Sequence, residues 1–193
     1  MSIVKEYEII KKALKGIKQD TVELENSMGL VIDVMESWLD LYDYTKDFDC
    51  LINAIKNEYN YSGVIYRGIT LRDNSRNFKD KIVFSKEQSF SKKKDVALSF
   101  ATNNMVTEGE EINVTMKPEE VISVLIELEG ESIGVDLNRF SKDLIYVCEN
   151  LMKDKEKASD FKELLSYAID EAEVLVFPND LLKNKENIKI YSV

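Results

Sequence analysis

The order of its patterns predicts an α+β protein, with a helical N-terminal third over residues 1–60 and a mixed β core with peripheral helices over residues 61–193. Three observations carry this expectation. Up to residue 60, apolar residues recur at helical spacing and no proline interrupts them. Beyond residue 61, short runs rich in β-branched residues take over. Helices are interspersed among those runs without regular alternation, which argues against a βαβ sheet. No internal repeat, low-complexity segment or interdomain linker is visible, so the 193 residues read as a single domain.

Each element has its own warrant. Ile9, Ile10, Ala13, Leu14 and Ile17 mark a first helix. Asp20 or Thr21 can cap a second, whose stripe runs through Leu24, Met28, Val31, Ile32, Met35, Trp38 and Leu41. Leu51, Ile52 and Ile55 mark a third. The texture changes at Tyr61-Ser62-Gly63, where Val64–Tyr66 reads as a short strand. Residues Lys81–Phe84 read as another, and Ser91–Asn104 as an amphipathic helix carrying Val96, Ala97, Phe100 and Ala101. Thr107–Glu111 is an acidic, glycine-containing loop by composition. Val121–Leu128 is the strongest strand, since its apolar residues are mostly β-branched. Arg139–Lys157 reads as one helix, with Leu144, Ile145, Val147, Cys148 and Leu151 on one side. Glu173–Phe177 and Ile188–Val193 complete the strands.

Composition narrows the chemistry. The chain has no histidine, which removes Ser-His-Asp and Cys-His nucleophile pairs, the HExxH zinc helix and any histidine general base. Cys50 and Cys148 are too few to cage zinc, and such sparse cysteine fits a reducing compartment. No metal is expected. The formal net charge of -10 repels a phosphate backbone, so a nucleic-acid partner is disfavoured. Residues 1–15 are charged and amphipathic and lack the apolar run of a signal peptide; no later run could span a bilayer. The expectation is a soluble, cytoplasmic chain without a membrane partner.

Three segments set polar groups beside strands. Tyr66-Arg67-Gly68 ends a strand; its arginine can present a guanidinium fork to a phosphate or carboxylate, and its glycine allows a ligand close to the backbone. Alone, it also fits a surface arginine before a turn. Ser89-Phe90-Ser91 leads into the helix with Val96-Ala97 and Phe100-Ala101, and residues two apart in extended chain share a face. Ser91 equally fits an N-cap, which leaves Ser89 unexplained. The following Lys92, Lys93 and Lys94 read as a solvated turn that can lend positive potential to an anionic ligand. Glu171-Ala172-Glu173 opens a buried strand. Glu-x-Glu is common in so acidic a chain, but a carboxylate at the mouth of an apolar strand is costly unless partnered.

Their order is informative. Arginine on a strand, a Ser-x-Ser running into a Val-Ala-x-x-Phe-Ala helix, then Glu-x-Glu opening a strand resembles the Arg-Ser-Glu class of mono-ADP-ribosyltransferases. Ser89 to Ala101 matches the family's frame without a gap, and the resemblance spans residues 64–193. The helical N-terminal third and the long segment before Glu171 look more like the phage-encoded Alt/Mod-type enzymes than like secreted actin-modifying toxins. The chain departs from the pattern at Phe90, where the family usually has threonine, and at Leu128-Glu129-Gly130-Glu131, where a Gly-rich turn is usual.

The resemblance implies an ADP-ribosyltransferase-like core of two packed sheets, and a glycosyltransferase that takes NAD as substrate, releases nicotinamide and needs no metal. It assigns Glu173 to the oxocarbenium-like charge on the ribose, with Ser89 holding that carboxylate. Arg67 is assigned to the nucleotide phosphate or adjoining ribose, Gly68 to the nicotinamide amide, Ser91 to the cofactor pocket and Phe100 to the nicotinamide ring. Phe100 fits ordinary core packing equally well. Glu171 is the acceptor-side residue and favours arginine of a protein as acceptor. Tyr167 lies upstream, where it can stack on an acceptor guanidinium or belong to the core. Zero histidine excludes the His-Tyr-Glu class. Two alternatives stand beside transfer to a protein: an NAD glycohydrolase, with water as acceptor, and a non-catalytic binding module on the same fold.

Overall fold

The computed structural model describes residues 2–40, 43–71, 82, 86–102, 105–108, 111–115 and 122–193. In chain order its elements are α1 (Ile3–Leu14), α2 (Thr21–Leu39), α3 (Lys46–Ile55), β1 (Asn60–Leu71), β2 (Gln88–Ser91), α4 (Lys94–Thr102), β3 (Met105–Glu108), β4 (Glu111–Thr115), β5 (Ile122–Val135), α5 (Leu137–Asn150), α6 (Lys155–Asp170), β6 (Glu173–Val176), α7 (Pro178–Lys183) and β7 (Ile188–Ser192). The fold is mixed, with helices and a largely antiparallel set of strands. It divides into two compact units: Met1–Asn60 with Val135–Asp170, and Tyr61–Gly134 with Glu171–Val193.

The first unit is helical. Its boundary at residue 60 coincides with the change of texture in the sequence. It also takes α5 and α6, so the β-rich stretch expected over 61–193 is interrupted by 135–170. Asp20 rather than Thr21 caps α2; its Oδ1 accepts from the N–H groups of Val22 and Glu23, both at 3.0 Å. The stripe from Leu24 to Trp38 is buried as its spacing requires, while Leu41 lies outside the described residues. The single helix expected over Arg139–Lys157 is two helices. Asp154 accepts from the Lys157 N–H at 3.0 Å and so starts α6, while Glu25 of α2 accepts from the N–H groups of Lys153 and Asp154. Tyr7, Tyr59 and Phe140 pack edge to face at the centre of this unit.

The end of α1 gives a simple test. Gly16 adopts φ +76°, its N–H donates to Ala13, and the Ile17 N–H donates to Lys12, a Schellman closure. Ile17, expected on the helix, lies beyond it and is exposed. A Cβ on Gly16 would meet nothing within 4 Å, so an alanine there is penalised by backbone conformation alone. Gly16→Ala is expected to lower stability by about 1 kcal/mol, read as a shift of the urea midpoint at constant slope.

The second unit holds the sheet. Strand order is β1-β2-β6-β5-β7, and β1 also pairs with β5, so four strands form a closed circuit of hydrogen-bonded neighbours. A separate ladder joins β3 and β4. Among the described residues there is thus one connected five-stranded system and one two-stranded ladder, where two packed sheets were expected. The length of β5, 14 residues, lets it serve β1, β6 and β7. The acidic segment expected as a loop over Thr107–Glu111 contributes to β3 and β4, with Glu108 opposite Glu111. The strand expected over 81–84 lies outside the described residues, Ile82 excepted. The core of this unit joins Ile65, Phe90, Val124, Ile126, Leu128, Ile133, Val174, Val176 and Leu181. Among the described residues no helix is long and apolar enough to cross a membrane.

Candidate functional site

The three motifs lie on adjacent strands. Arg67 is on β1, Ser89 and Ser91 are on β2, and Glu173 begins β6. Register aligns Tyr66 with Ser91, Ser91 with Glu173, and Ser89 with Leu175. Directly opposed residues share a face, so Tyr66, Ser91 and Glu173 form a row across three strands. Ser89 lies on the same face, diagonal to Glu173, within reach of a long side chain. Phe90 and Val174 point the other way, into the core.

On β1 the alternation is equally clear. Thr70 Oγ1 donates to the Ala101 carbonyl at 3.0 Å, and a Cβ on Gly68 would lie 1.7 Å from the Ala97 carbonyl oxygen. The face of Tyr66, Gly68 and Thr70 therefore receives α4. Tyr61, Ile65, Ile69 and Leu71 pack against the core on the opposite face. Arg67 falls in this second set, on the face opposite Glu173. Its Nη1 donates to the Ser89 backbone carbonyl, so the guanidinium braces β1 to β2. The close seat of α4 also accounts for Gly68 without any ligand.

Glu173 is 3% exposed, and a carboxylate so removed from water must be engaged by neighbours, as it is. Glu171 precedes β6 and is half-buried. Between them Ala172 adopts φ +51°, a left-handed conformation unusual for a residue with a Cβ. The same-face rule for residues two apart thus does not extend from Glu173 to Glu171. Three hydrogen bonds hold this turn. Ser91 Oγ donates to the Glu171 carbonyl at 2.5 Å, the Lys92 N–H donates to the Ala172 carbonyl at 3.0 Å, and Ser91 Oγ accepts from the Lys93 N–H at 2.9 Å.

This corrects the N-cap expectation for Ser91. It does not cap α4, which begins at Lys94; it makes a turn with Lys93. Its one hydroxyl proton is directed to Glu171, so it has none to give a nucleotide. Phe100 is 43% exposed, which removes core packing as its explanation. The sheet-facing stripe of α4 is Ala97 and Ala101, small because β1 comes close. Tyr167, on α6 in the helical unit, is 53% exposed and is not a core residue. Where β2 runs into α4, Lys92 Nζ lies 5.4 Å from the Tyr61 ring centroid and Lys94 Nζ 6.0 Å from that of Tyr66. Lys94 thus brings positive charge beside the Tyr66–Ser91–Glu173 row, while Lys92 lies over Tyr61, on the opposite face of β1.

Sequence reasoning missed Tyr66 as a member of the row and Ala172 as a left-handed residue. The first was available from the Tyr66-Arg67 adjacency once strand pairing was known; the second carries no local signal, since alanine disfavours that conformation. Among the described residues no group of three or more acidic or cysteine side chains converges as a metal site would require. Cys148 is fully buried, and burial pushes its thiol up to about 11, so it is no nucleophile at neutral pH. What the row can do chemically is hold a fixed, poorly hydrated carboxylate beside hydroxyl groups, an arrangement suited to stabilising developing positive charge. Compared with family models, characterised proteins and solved structures, the chain gives no match.

Proposed function

We propose that the protein is an NAD-dependent mono-ADP-ribosyltransferase built on an ADP-ribosyltransferase-like β core, with arginine of a protein as acceptor. The observation that supports it is the adjacency of β1, β2 and β6, which brings motifs separated in sequence onto neighbouring strands in the order Arg, Ser-x-Ser, Glu. In this reading Glu173 stabilises the ribose as its bond to nicotinamide breaks. The bonding pair leaves with the pyridinium nitrogen, so nicotinamide departs neutral. The ribose carbon then bonds to a guanidinium nitrogen of the acceptor, whose proton passes to Glu171. Ser89 orients Glu173 from the diagonal position. Arg67 acts through the Ser89 carbonyl, and Lys94, over the Tyr66 ring, supplies positive charge for the pyrophosphate. Phe100 offers an exposed aromatic surface to the nicotinamide ring.

The test is incubation with labelled NAD in bacterial and eukaryotic lysates, followed by mapping of the modified residue; label is expected on arginine. Glu171→Gln is expected to lower protein labelling at least about tenfold relative to nicotinamide released, since general-base assistance contributes on the order of 10²–10⁴. Nicotinamide release by the wild type without any labelled protein would instead identify an NAD glycohydrolase. A second reading, a non-catalytic binding module, draws on the burial of Glu173. It requires that millimolar NAD leave the melting temperature unchanged, because a ligand of the native state must raise it.

A further inference from the structure

The polar contacts of Ser91 join the two carboxylate positions in a way neither the Ser-x-Ser nor the Glu-x-Glu pattern displays. Ser91 is 6% exposed and stands opposite Glu173 in register. Its hydroxyl spends its single proton on the Glu171 carbonyl and accepts the Lys93 N–H. One residue on, the Lys92 N–H takes the Ala172 carbonyl. The two peptides that flank Ala172, Glu171–Ala172 and Ala172–Glu173, are therefore each held through their carbonyls by the end of β2, while Ala172 is held in the left-handed region.

That conformation is unfavourable for alanine and persists only where surroundings impose it. Its consequence is directional. In extended chain Glu171 would share the face of Glu173; the left-handed residue turns Glu171 off that face, leaving it half-buried ahead of the strand while Glu173 is nearly enclosed.

We propose that Ser91 is a positioning residue, and that its clasp on the Glu171–Ala172 turn sets whether ADP-ribose passes to a protein side chain or to water. The inference rests on the transferase reading above. With the clasp intact, Glu171 is fixed where it can take a proton from an incoming guanidinium. With it released, the turn relaxes toward conformations alanine prefers, Glu171 moves, and water becomes the competing acceptor. No new covalent step is involved, because both outcomes use the same break of the ribose–nicotinamide bond.

The test compares Ser91→Ala and Ser91→Thr with the wild type, using labelled NAD in lysate and measuring protein-bound label and released nicotinamide together. Ser91→Ala is expected to lower the ratio of the two by about tenfold or more, and Ser91→Thr, which keeps the hydroxyl, to restore it. In parallel, amide exchange at Lys93 should quicken in the alanine variant and return in the threonine variant. If Ser91→Ala does not fold, Ser91→Cys keeps the size with a weak donor and is expected to show the same lowered ratio. An unchanged ratio in a folded variant overturns the proposal, as does a threonine variant that behaves like alanine. A wild type that releases no nicotinamide overturns the transferase reading itself, and is told apart by failing before any substitution is made.

Discussion

Glu173→Gln is expected to slow nicotinamide release from NAD by about 10²–10³, the range found when one preorganised electrostatic group is removed from a reacting centre. Glu173 lies opposite Ser91 and diagonal to Ser89, at 3% exposure, where few waters can screen it. A carboxylate in such a place acts more strongly on a nascent cation than it would in bulk solvent. Glutamine keeps the shape and one acceptor oxygen but not the charge. NAD binding should survive, so NAD should still raise the melting temperature of the variant. Loss of activity together with loss of that thermal shift would point instead to a collapsed site, and full activity would remove Glu173 from the chemistry.

Gly68→Ala is expected to be the most destabilising single-methyl change in the sheet unit. The added Cβ would lie 1.7 Å from the Ala97 carbonyl oxygen and 2.6 Å from the Ala101 nitrogen, both backbone atoms of α4. Neither can swing aside as a side chain would, so the helix must move off β1. That motion also breaks the bond from Thr70 Oγ1 to the Ala101 carbonyl. Overpacking of this kind typically costs about 1–3 kcal/mol, and the loss of a buried hydrogen bond adds about 1 kcal/mol. A lowered denaturant midpoint is the readout. A midpoint within error of the wild type would mean that α4 is not seated on Gly68.

Several features were legible because their causes are local. Asp20 caps α2 through its own side chain, and the stripe from Leu24 to Trp38 needs only helical periodicity. The β-branched run that became β5 announces itself by composition. The motif segments could be ordered along the chain and placed on strands. What was not legible depends on partners distant in sequence. The extent of β1, from Asn60 to Leu71, is fixed by pairing with β2 and β5, and its two internal glycines speak against a strand when read alone. The face of Arg67 follows from which neighbours pack on α4 and which on the core, and no motif encodes that. Glu108 and Glu111, from the acidic segment, lie in ladder strands although glutamate has little strand preference. The break between α5 and α6 was readable in principle, since Asp154 is an ordinary cap and the apolar stripe lapses over Lys153–Lys157.

The path of the chain has a consequence for the order in which the molecule can be made. It leaves the helical unit at residue 60, returns at 135, and leaves again at 170. As the polypeptide emerges from the ribosome, the first three helices must therefore wait for α5 and α6. The strands up to residue 134 must wait longer, because β6 and β7 are the last to appear and β6 is the partner that closes the circuit between β2 and β5. Neither unit is complete until nearly the whole chain has been synthesised, so a ribosome that stalls between residues 60 and 170 exposes two unfinished cores rather than one finished and one unmade.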